Sequence, residues 1–221
     1  MWWRMGRRNN PIQMNEIEKI LSQQKDHFTA DDFELFWGDG YLEMFNGFPN
    51  DMAYNIVQKC IYPYLKHNKD RCLEIGCGGG MWTNNFLRNT FYGLIAIDVI
   101  PKSKRLGDEI IYYQLPDCDY TCSPIPDNSI DFVWCYGVFC HLPNEAVKTY
   151  VKNIKRVLKP DGHAVVMIPN WNNHPTLKEV PEVEREQYKT KLHPMGWFYI
   201  DMIEGDNLMP DFRDSLIHFT K

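Results

Sequence analysis

Short apolar runs alternate with segments of helical periodicity from Arg71 onward, and this alternation restricts the fold more than any other feature of the chain. Five runs have the length and composition of buried strands: Cys72–Ile75, Tyr92–Ile97, Ile110–Gln114, Ile130–Cys135 and Ala164–Ile168. Two more extended segments, Trp197–Ile203 and Ser215–Thr220, could complete a sheet. Strands that alternate with helices form βαβ units, so the pattern predicts an α/β domain with a parallel sheet and right-handed crossovers.

The strongest helical pattern lies between the fourth and fifth runs. Its apolar positions follow helical spacing and are Val147, Tyr150, Val151, Ile154, Val157 and Leu158. Asn144 is predicted to cap the start of this helix, and Lys159-Pro160-Asp161-Gly162 to end it and turn the chain into the next strand. Its polar side is expected to be a solvated face, formed by Lys148, Lys152, Lys155 and Arg156.

The segment between the second and third runs is short for a crossover helix. It extends from Asp98 to Ile110 and contains Pro101 and Gly107, two residues that disfavour a helix interior. We therefore expect only about one or two helical turns there, because a full parallel crossover needs a dozen or more residues.

Charge and composition restrict the class of protein. The formal net charge of −5 argues against binding that depends on neutralised phosphates, so no nucleic acid is expected as a partner. No run approaches the roughly 20 apolar residues that cross a bilayer, and no secretory signal is recognisable. The seven cysteines have no disulfide-framework spacing, and Cys118 and Cys122 lack the second pair of a zinc site. We expect a reduced, cytoplasmic protein with no metal site.

A glycine-rich turn, Glu74-Ile75-Gly76-Cys77-Gly78-Gly79-Gly80, directly follows the first run. Glycines let the backbone turn sharply and approach a ligand, and the next helix presents unpaired N–H groups beside it. About 20 residues later the second run ends in Asp98, whose carboxylate can accept ribose hydroxyls. A dinucleotide fingerprint requires glycine or alanine where Met81 stands, which disfavours a nicotinamide oxidoreductase.

Four segments, in this order, resemble motifs of the class I S-adenosylmethionine-dependent methyltransferases of the small-molecule type. The glycine-rich turn resembles motif I, Asp98 the acidic end of strand two, Pro126–Val133 the approach to strand four, and Leu158–Gly162 the turn before strand five. The resemblance covers roughly residues 71–169. It implies a three-layer α/β sandwich with a mostly parallel seven-stranded sheet. It also implies S-adenosyl-L-methionine as the cofactor and S-adenosyl-L-homocysteine as its product.

The resemblance assigns a set of cofactor contacts. The residues concerned are Glu74, Gly76, Cys77, Gly78, Gly80, Asp98, Val99, Asp119, Tyr120, Cys135 and Tyr136. It implies that the glycine backbones surround the amino-acid part of the cofactor, and that Glu74 holds this loop or the ammonium group. It places Asp98 on the ribose, and Cys135 and Tyr136 beside the methyl-bearing sulfur, together with Gly137.

The residue nearest the adenine is open on sequence grounds. The third-strand region of this chain, Gln114–Tyr120, lacks the clear Gly-Asp pair of the family. Asp119 is favoured by its offset from Pro126, and Asp117 is its rival.

His141 is the candidate catalytic residue. It follows the fourth run, at the carboxyl edge of the predicted sheet, where open α/β folds bind ligands. In similar small-molecule methyltransferases a histidine here often faces the acceptor, and a hydroxyl acceptor needs a general base near the methyl group. The alternative is that His141 packs against the next helix. Further candidates at the rim are Asn170, Trp171 and His174.

The first seventy residues have helical periodicity. The strongest pattern ends near Pro63 and places on one face Met52, Ile56, Val57, Cys60 and Ile61. An aromatic set precedes it and consists of Phe33, Phe36, Trp37, Tyr41, Phe45 and Phe48. This set forms either the packing of N-terminal helices or, as the resemblance implies, a lid. We therefore predict a helical extension at residues 1–68 and the methyltransferase domain at residues 69–221.

The predicted function is methyl transfer to a small-molecule acceptor, with O-methylation of a sugar or other polar metabolite as the preferred reaction. A nucleic-acid or protein methyltransferase is the alternative, although Cys135-Tyr136-Gly137-Val138 stands where nucleic-acid enzymes carry an N/D-P-P-Y/F motif. A non-catalytic partner protein with the same fold is a third possibility.

Overall fold

Seven strands form one sheet at the centre of the part of the chain that the structure describes. The structure, a computed structural model, describes residues 50–67, 69–170, 203–212 and 214–221. The strands are β1 (Arg71–Ile75), β2 (Gly93–Asp98), β3 (Ile111–Gln114), β4 (Ile130–Cys135), β5 (Leu158–Pro169), β6 (Asp206–Asn207) and β7 (Asp214–Thr220). Their order in the sheet is β3-β2-β1-β4-β5-β7-β6.

The first five strands are parallel to one another, and β7 is antiparallel to both β5 and β6. The predicted α/β fold with a mostly parallel, seven-stranded sheet is therefore confirmed. Each of the five apolar runs lies within or overlaps its strand. The edge strand β3 is mostly exposed, whereas the other four are largely buried.

Helices cover both faces of the sheet. They are α1 (Asn50–Cys60), a π-helix (Thr83–Leu87) that continues into α2 (Arg88–Thr90), and α3 (Asn144–Val157), with short 3-10 helices at Tyr62–Tyr64 and Phe139–His141. The amphipathic face predicted near the start of the described residues is that of α1, whose Ile56 and Val57 are buried. Pro63 lies in the 3-10 turn that follows it.

Two apolar cores separate the layers. Leu73 and Ile75 of β1 belong to the core that contains Val147 and Ile154 of α3. Cys72, on the opposite face of β1, belongs to the core that contains the buried side of α1. Successive residues of a strand point to opposite faces, so one strand contributes to both cores.

The segment between β2 and β3 contains turns and no helix. The N–H of Leu106 donates to the carbonyl of Ser103 at 3.1 Å, and that of Ile110 to Gly107 at 3.2 Å. The prediction of one or two helical turns was therefore wrong. Pro101 has no N–H to donate, and the short segment crosses by reverse turns instead.

Both ends of α3 differ in detail from the prediction. The N-cap residue is Pro143, with Asn144 as the first helical residue, so the predicted cap is wrong by one position. The segment Lys159–Gly162 does not leave the sheet: it is an irregularity within β5, where pairing shifts from Ile130 with Leu158 to Phe132 with His163. A Cβ at Gly162 would lie 2.9 Å from the carbonyl oxygen of Ile130, so the detour needs glycine there.

The last strands are partly as predicted. Ser215–Thr220 lies within β7, and the strand that pairs with it at the edge of the described sheet is β6, Asp206–Asn207. Most of Trp197–Ile203 is outside the described residues, as are the aromatic set of residues 33–48, Trp171 and His174.

Candidate functional site

A cleft lies at the carboxyl edge of the sheet, where β1, β2 and β4 end. Its volume, counted with the space that is open to solvent, is about 670 Å³. It is lined by Gly76, Gly78, Asp98, Val99, Ile100, Asp117, Cys118, Tyr120, Gly137, Val138, His141, Leu142 and Tyr150. The strand order reverses between β1 and β4, and open α/β sheets bind ligands at such a switch point.

The glycine turn after β1 forms one wall of this cleft. Gly76, Gly78 and Gly80 have φ angles of +71°, +51° and +86°, in the left-handed region that favours glycine. A Cβ on Gly76 would lie 2.1 Å from Cγ2 of Val138, in the loop after β4. This position therefore requires glycine both for its backbone conformation and for the close approach of the two loops.

Asp98 faces the glycine turn from the end of β2. Its Oδ2 accepts a hydrogen bond from the N–H of Gly78 at 2.7 Å. Its Oδ1 accepts from the N–H groups of Val99 at 2.7 Å and Ile100 at 3.3 Å. Burial raises the Asp98 pKa above its ordinary value, although these N–H donors act against that rise. A carboxylate has about four lone-pair positions and the three N–H groups occupy three of them, so at most about one is left for a hydroxyl donor from the cleft.

Glu74 lies behind the glycine turn and does not line the cleft. It is 2% exposed, and its Oε2 accepts from Oγ1 of Thr83, in the π-helix, at 2.5 Å. Burial raises the Glu74 pKa to about 8, with a smaller contribution from Asp98 and against the hydrogen bonds from Thr83. Glu74 thus connects the end of β1 to the following helix. This geometry favours a role for Glu74 in holding the loop over a role in binding the ammonium group of the cofactor.

The loop after β3 places Asp117, not Asp119, on the cleft. The Asp119 carboxylate accepts from the Thr121 N–H at 2.8 Å, the Thr121 hydroxyl at 2.5 Å and the Ser123 hydroxyl at 3.1 Å. Burial alone would raise the Asp119 pKa, but these donors lower it below its ordinary value. The arrangement favours Asp117 as the adenine partner. Asp119 was favoured in the sequence by its offset from Pro126. That offset does not reveal that the Asp119 side chain is hydrogen-bonded within its own turn.

Besides Glu74 and Asp119, four more of the proposed cofactor contacts do not line the cleft: Cys77, Gly80, Cys135 and Tyr136. Cys77 and Cys135 are buried, and burial raises the pKa of both thiols well above its ordinary value. Tyr136 packs against Trp82, with ring centroids 4.8 Å apart. Immediately after Tyr136, Gly137 and Val138 line the cleft.

His141 lines the cleft at the end of the 3-10 helix Phe139–His141. Burial lowers its pKa to about 4, so the imidazole is neutral at pH 7 and retains a lone pair that can accept a proton. The structure therefore places the predicted catalytic residue in the same cleft as Asp98. Asn170, by contrast, is buried and donates to Oγ of Ser215 at 2.9 Å.

Sequence reasoning missed Tyr150 as a lining residue because it lies in the apolar stripe of α3. Its ring packs edge-on against that of Tyr120 with centroids 5.4 Å apart, and its hydroxyl lies 3.5 Å from the carbonyl oxygen of Asp119. The signal in the sequence that could have identified Tyr150 is a tyrosine within an apolar helical stripe, because a buried phenol normally requires a polar partner.

No group of three metal-ligating side chains occurs within residues 50–67, 69–170, 203–212 and 214–221. In the same residues no helix is long and apolar enough to span a bilayer.

The strand order, the antiparallel seventh strand and the glycine turn facing Asp98 together define a Rossmann-like domain of the class I methyltransferase type. Residues 73–166 match the family model described as "Methyltransferase domain".

Relatives and solved structures agree with this placement. An uncharacterised methyltransferase-like protein of Schizosaccharomyces pombe is 26% identical over 142 residues, which are 60% of this chain and 52% of that protein. A ubiquinone biosynthesis O-methyltransferase of Neisseria meningitidis is 26% identical over 60% of this chain and 58% of its own length. The chain thus spans a little over half the length of these relatives.

Among solved structures, the Burkholderia thailandensis 1,6-didemethyltoxoflavin-N1-methyltransferase shares the fold. Its TM-score is 0.54 at 14% identity, over 97% of this chain and 94% of that one.

Proposed function

We propose that this chain is an S-adenosylmethionine-dependent methyltransferase that acts on a small-molecule acceptor. The observation that carries the proposal is the pairing of the glycine turn with Asp98 on one cleft, where Gly78 N–H and the carboxylate are 2.7 Å apart. Glycine backbone next to a carboxylate at the switch point suits an adenosyl ligand with a polar tail.

The residues present fit this cofactor. Asp98 keeps acceptor capacity for a ribose hydroxyl, and Asp117 and Tyr120 lie on the side proposed for adenine. At Gly137, which has a φ of +76°, a Cβ would meet nothing within 4 Å, so the cleft is open beside the end of β4. When bound, the cofactor supplies an electrophilic methyl group on a sulfonium.

The chain's own residues have three tasks in this reaction. The glycine turn and Asp98 hold the donor so that an acceptor can attack in line, which contributes through proximity. Val138 and Leu142 present apolar surface that excludes water from the cleft. We assign His141 as the general base that takes the proton of a hydroxyl acceptor at a ring nitrogen, a task for which the neutral imidazole is in the correct state.

For the acceptor we propose a sugar or other polar metabolite, methylated on oxygen. The ubiquinone biosynthesis relative is an O-methyltransferase, and the Burkholderia structure contains a bound small acceptor with S-adenosylhomocysteine, which supports the small-molecule class. In the described residues, the cleft lining includes Asp98 and Asp117 and neither lysine nor arginine. That lining does not suit the phosphates of a nucleic acid. The cytoplasmic location remains a prediction.

The test is a screen of candidate acceptors with S-adenosylmethionine carrying a labelled methyl group, read by product mass. We expect a product heavier by one labelled methyl group with at least one hydroxylated metabolite. S-adenosylhomocysteine should also raise the melting temperature, whereas NAD should not, because binding to the native state stabilises it. Stabilisation by NAD alone would contradict the proposed cofactor. Labelling of nucleic acid alone would contradict the acceptor class.

A further inference from the structure

The loop between β3 and β4 forms a wall of the cleft without regular secondary structure of its own. Residues 115–129 contain neither helix nor strand, yet Asp117, Cys118 and Tyr120 line the cleft. Cys118 and Cys122 have φ angles of +62° and +51°, which non-glycine residues rarely adopt. Such a conformation persists only when surrounding groups fix it.

One side chain from outside the loop makes four of the contacts that hold it. Nη1 of Arg156, in the last turn of α3, donates to the carbonyl of Ile125 at 3.0 Å and to Oδ1 of Asp127 at 2.5 Å. Its Nη2 donates to the carbonyls of Thr121 at 3.0 Å and Cys122 at 3.2 Å. Four of its hydrogen bonds thus hold residues 121–127, a segment that begins immediately after Tyr120.

The other contacts of Arg156 fix its own orientation. Its Nε donates to Oδ1 of Asn153, one turn earlier in α3, at 3.1 Å. The side chain is 31% exposed, so most of it is covered by protein. The sequence pattern assigned Arg156 to a solvated face with Lys148 and Lys152, whereas the structure places its guanidinium against the loop.

We propose that Arg156 is a positioning residue for the cofactor cleft, holding residues 121–127 so that Asp117 and Tyr120 form its wall. This inference rests on the proposed function. The planar guanidinium is suited to the task because it presents five donors in a fixed fork and stays charged at every physiological pH. A lysine carries a single nitrogen and cannot reach separate carbonyls on both sides of the loop.

Cys122 provides a readout of the loop that needs no cofactor. It is fully buried in the core beneath α3, and its carbonyl accepts from Arg156. Cys72, on β1, is also fully buried, but it belongs to the core on the opposite face of the sheet. Alkylation of Cys122 under native conditions therefore reports local opening of the loop, and alkylation of Cys72 reports global unfolding.

The experiment compares wild type, Arg156→Ala, Arg156→Lys and Lys159→Met by iodoacetamide labelling with peptide mass spectrometry and by calorimetric titration with S-adenosylhomocysteine. Lys159→Met is the matched control, since it removes an ion pair to Asp131 (2.7 Å), outside residues 115–129. For Arg156→Ala we expect labelling of Cys122 to accelerate about tenfold or more, with Cys72 unchanged, and affinity to fall about tenfold. Arg156→Lys should restore little of the protection of Cys122 or of the affinity for S-adenosylhomocysteine. Lys159→Met should change neither the labelling of Cys122 nor the affinity.

Three results for Arg156→Ala would overturn the proposal. Cys122 could remain as protected from labelling as in wild type, or Cys122 and Cys72 could become exposed together. In the third, Cys122 becomes exposed but the affinity for S-adenosylhomocysteine does not change. If wild type itself binds no S-adenosylhomocysteine, the proposed function fails. The role of Arg156 in positioning the cofactor fails with it, whereas selective exposure of Cys122 would still show that Arg156 anchors the loop.

Discussion

Replacing Gly76 by alanine tests the close approach between the glycine turn and the loop after β4. The left-handed conformation at Gly76 costs a non-glycine residue about 1–2 kcal/mol. The added Cβ would also lie 2.1 Å from Cγ2 of Val138, far inside van der Waals contact, and relief of such overpacking costs about 1–3 kcal/mol. The sum predicts a loss of about 2–5 kcal/mol in the free energy of unfolding.

Two further variants separate these contributions. Gly137→Ala introduces the same kind of backbone strain, at a φ of +76°, where a Cβ meets nothing within 4 Å. It should cost only about 1–2 kcal/mol. Val138→Ala removes the methyl group that the new Cβ would meet, so in the Gly76→Ala background it should restore about 1–3 kcal/mol as a positive coupling energy.

The assay is urea unfolding of the four variants and wild type without ligand, analysed as a double-mutant cycle for positions 76 and 138. The reasoning is refuted if Gly76→Ala costs no more than Gly137→Ala, or if Val138→Ala adds its own loss without any recovery.

Three other changes test the chemistry of the cleft. Asp98→Ala should weaken S-adenosylhomocysteine binding by about 1–3 kcal/mol, since it removes charge-assisted hydrogen bonds, and unchanged affinity by calorimetry would take Asp98 out of the ribose site. His141→Ala should lower the turnover number with a hydroxyl acceptor by about 10²-fold or more while changing cofactor affinity little; a near-normal rate would leave His141 with a structural role. Wild type should lose stability relative to Glu74→Gln as pH rises from about 4.5 through 8, because a pKa raised in the folded state favours folding only while the group is protonated. Parallel stability profiles for these two proteins across that window would show that Glu74 does not titrate as described.

The parallel core of this fold can be read from the sequence. Runs such as Cys72–Ile75 and Ile130–Cys135 are mostly apolar because both faces of each strand are buried, and the apolar stripe of α3 faces one of the two cores. The resemblance to methyltransferases that four ordered motifs indicate is confirmed by the match of residues 73–166 to a methyltransferase family model.

The connections were harder to predict. Sequence periodicity does not distinguish a turn from a bulge at Lys159–Gly162, because the same Pro-Asp-Gly residues suit both, and only the pairing with Ile130 and Phe132 decides. Between Asp98 and Ile110, Pro101 and Gly107 together prevent even one helical turn in so short a segment.

At the candidate site, residues whose position follows from the end of a strand could be predicted from the sequence. Residues whose side chains have partners far away in the sequence could not. Asp98 and the glycines follow directly from the ends of two strands. Asp117 and Asp119 differ only in how an irregular loop turns, and Arg156 contacts oxygen atoms of residues 29–35 positions away in sequence. Helical periodicity identifies which residues face the core, but it does not say which polar side chain holds a distant loop.

The most direct measurement of the central claim is a crystal structure of the chain soaked with S-adenosylhomocysteine. The account predicts density in the cleft beside Gly78 and Asp98, with a ribose hydroxyl donating to that carboxylate and the adenine beside Asp117 and Tyr120. Density at another position, or an unoccupied cleft at saturating ligand, would contradict it.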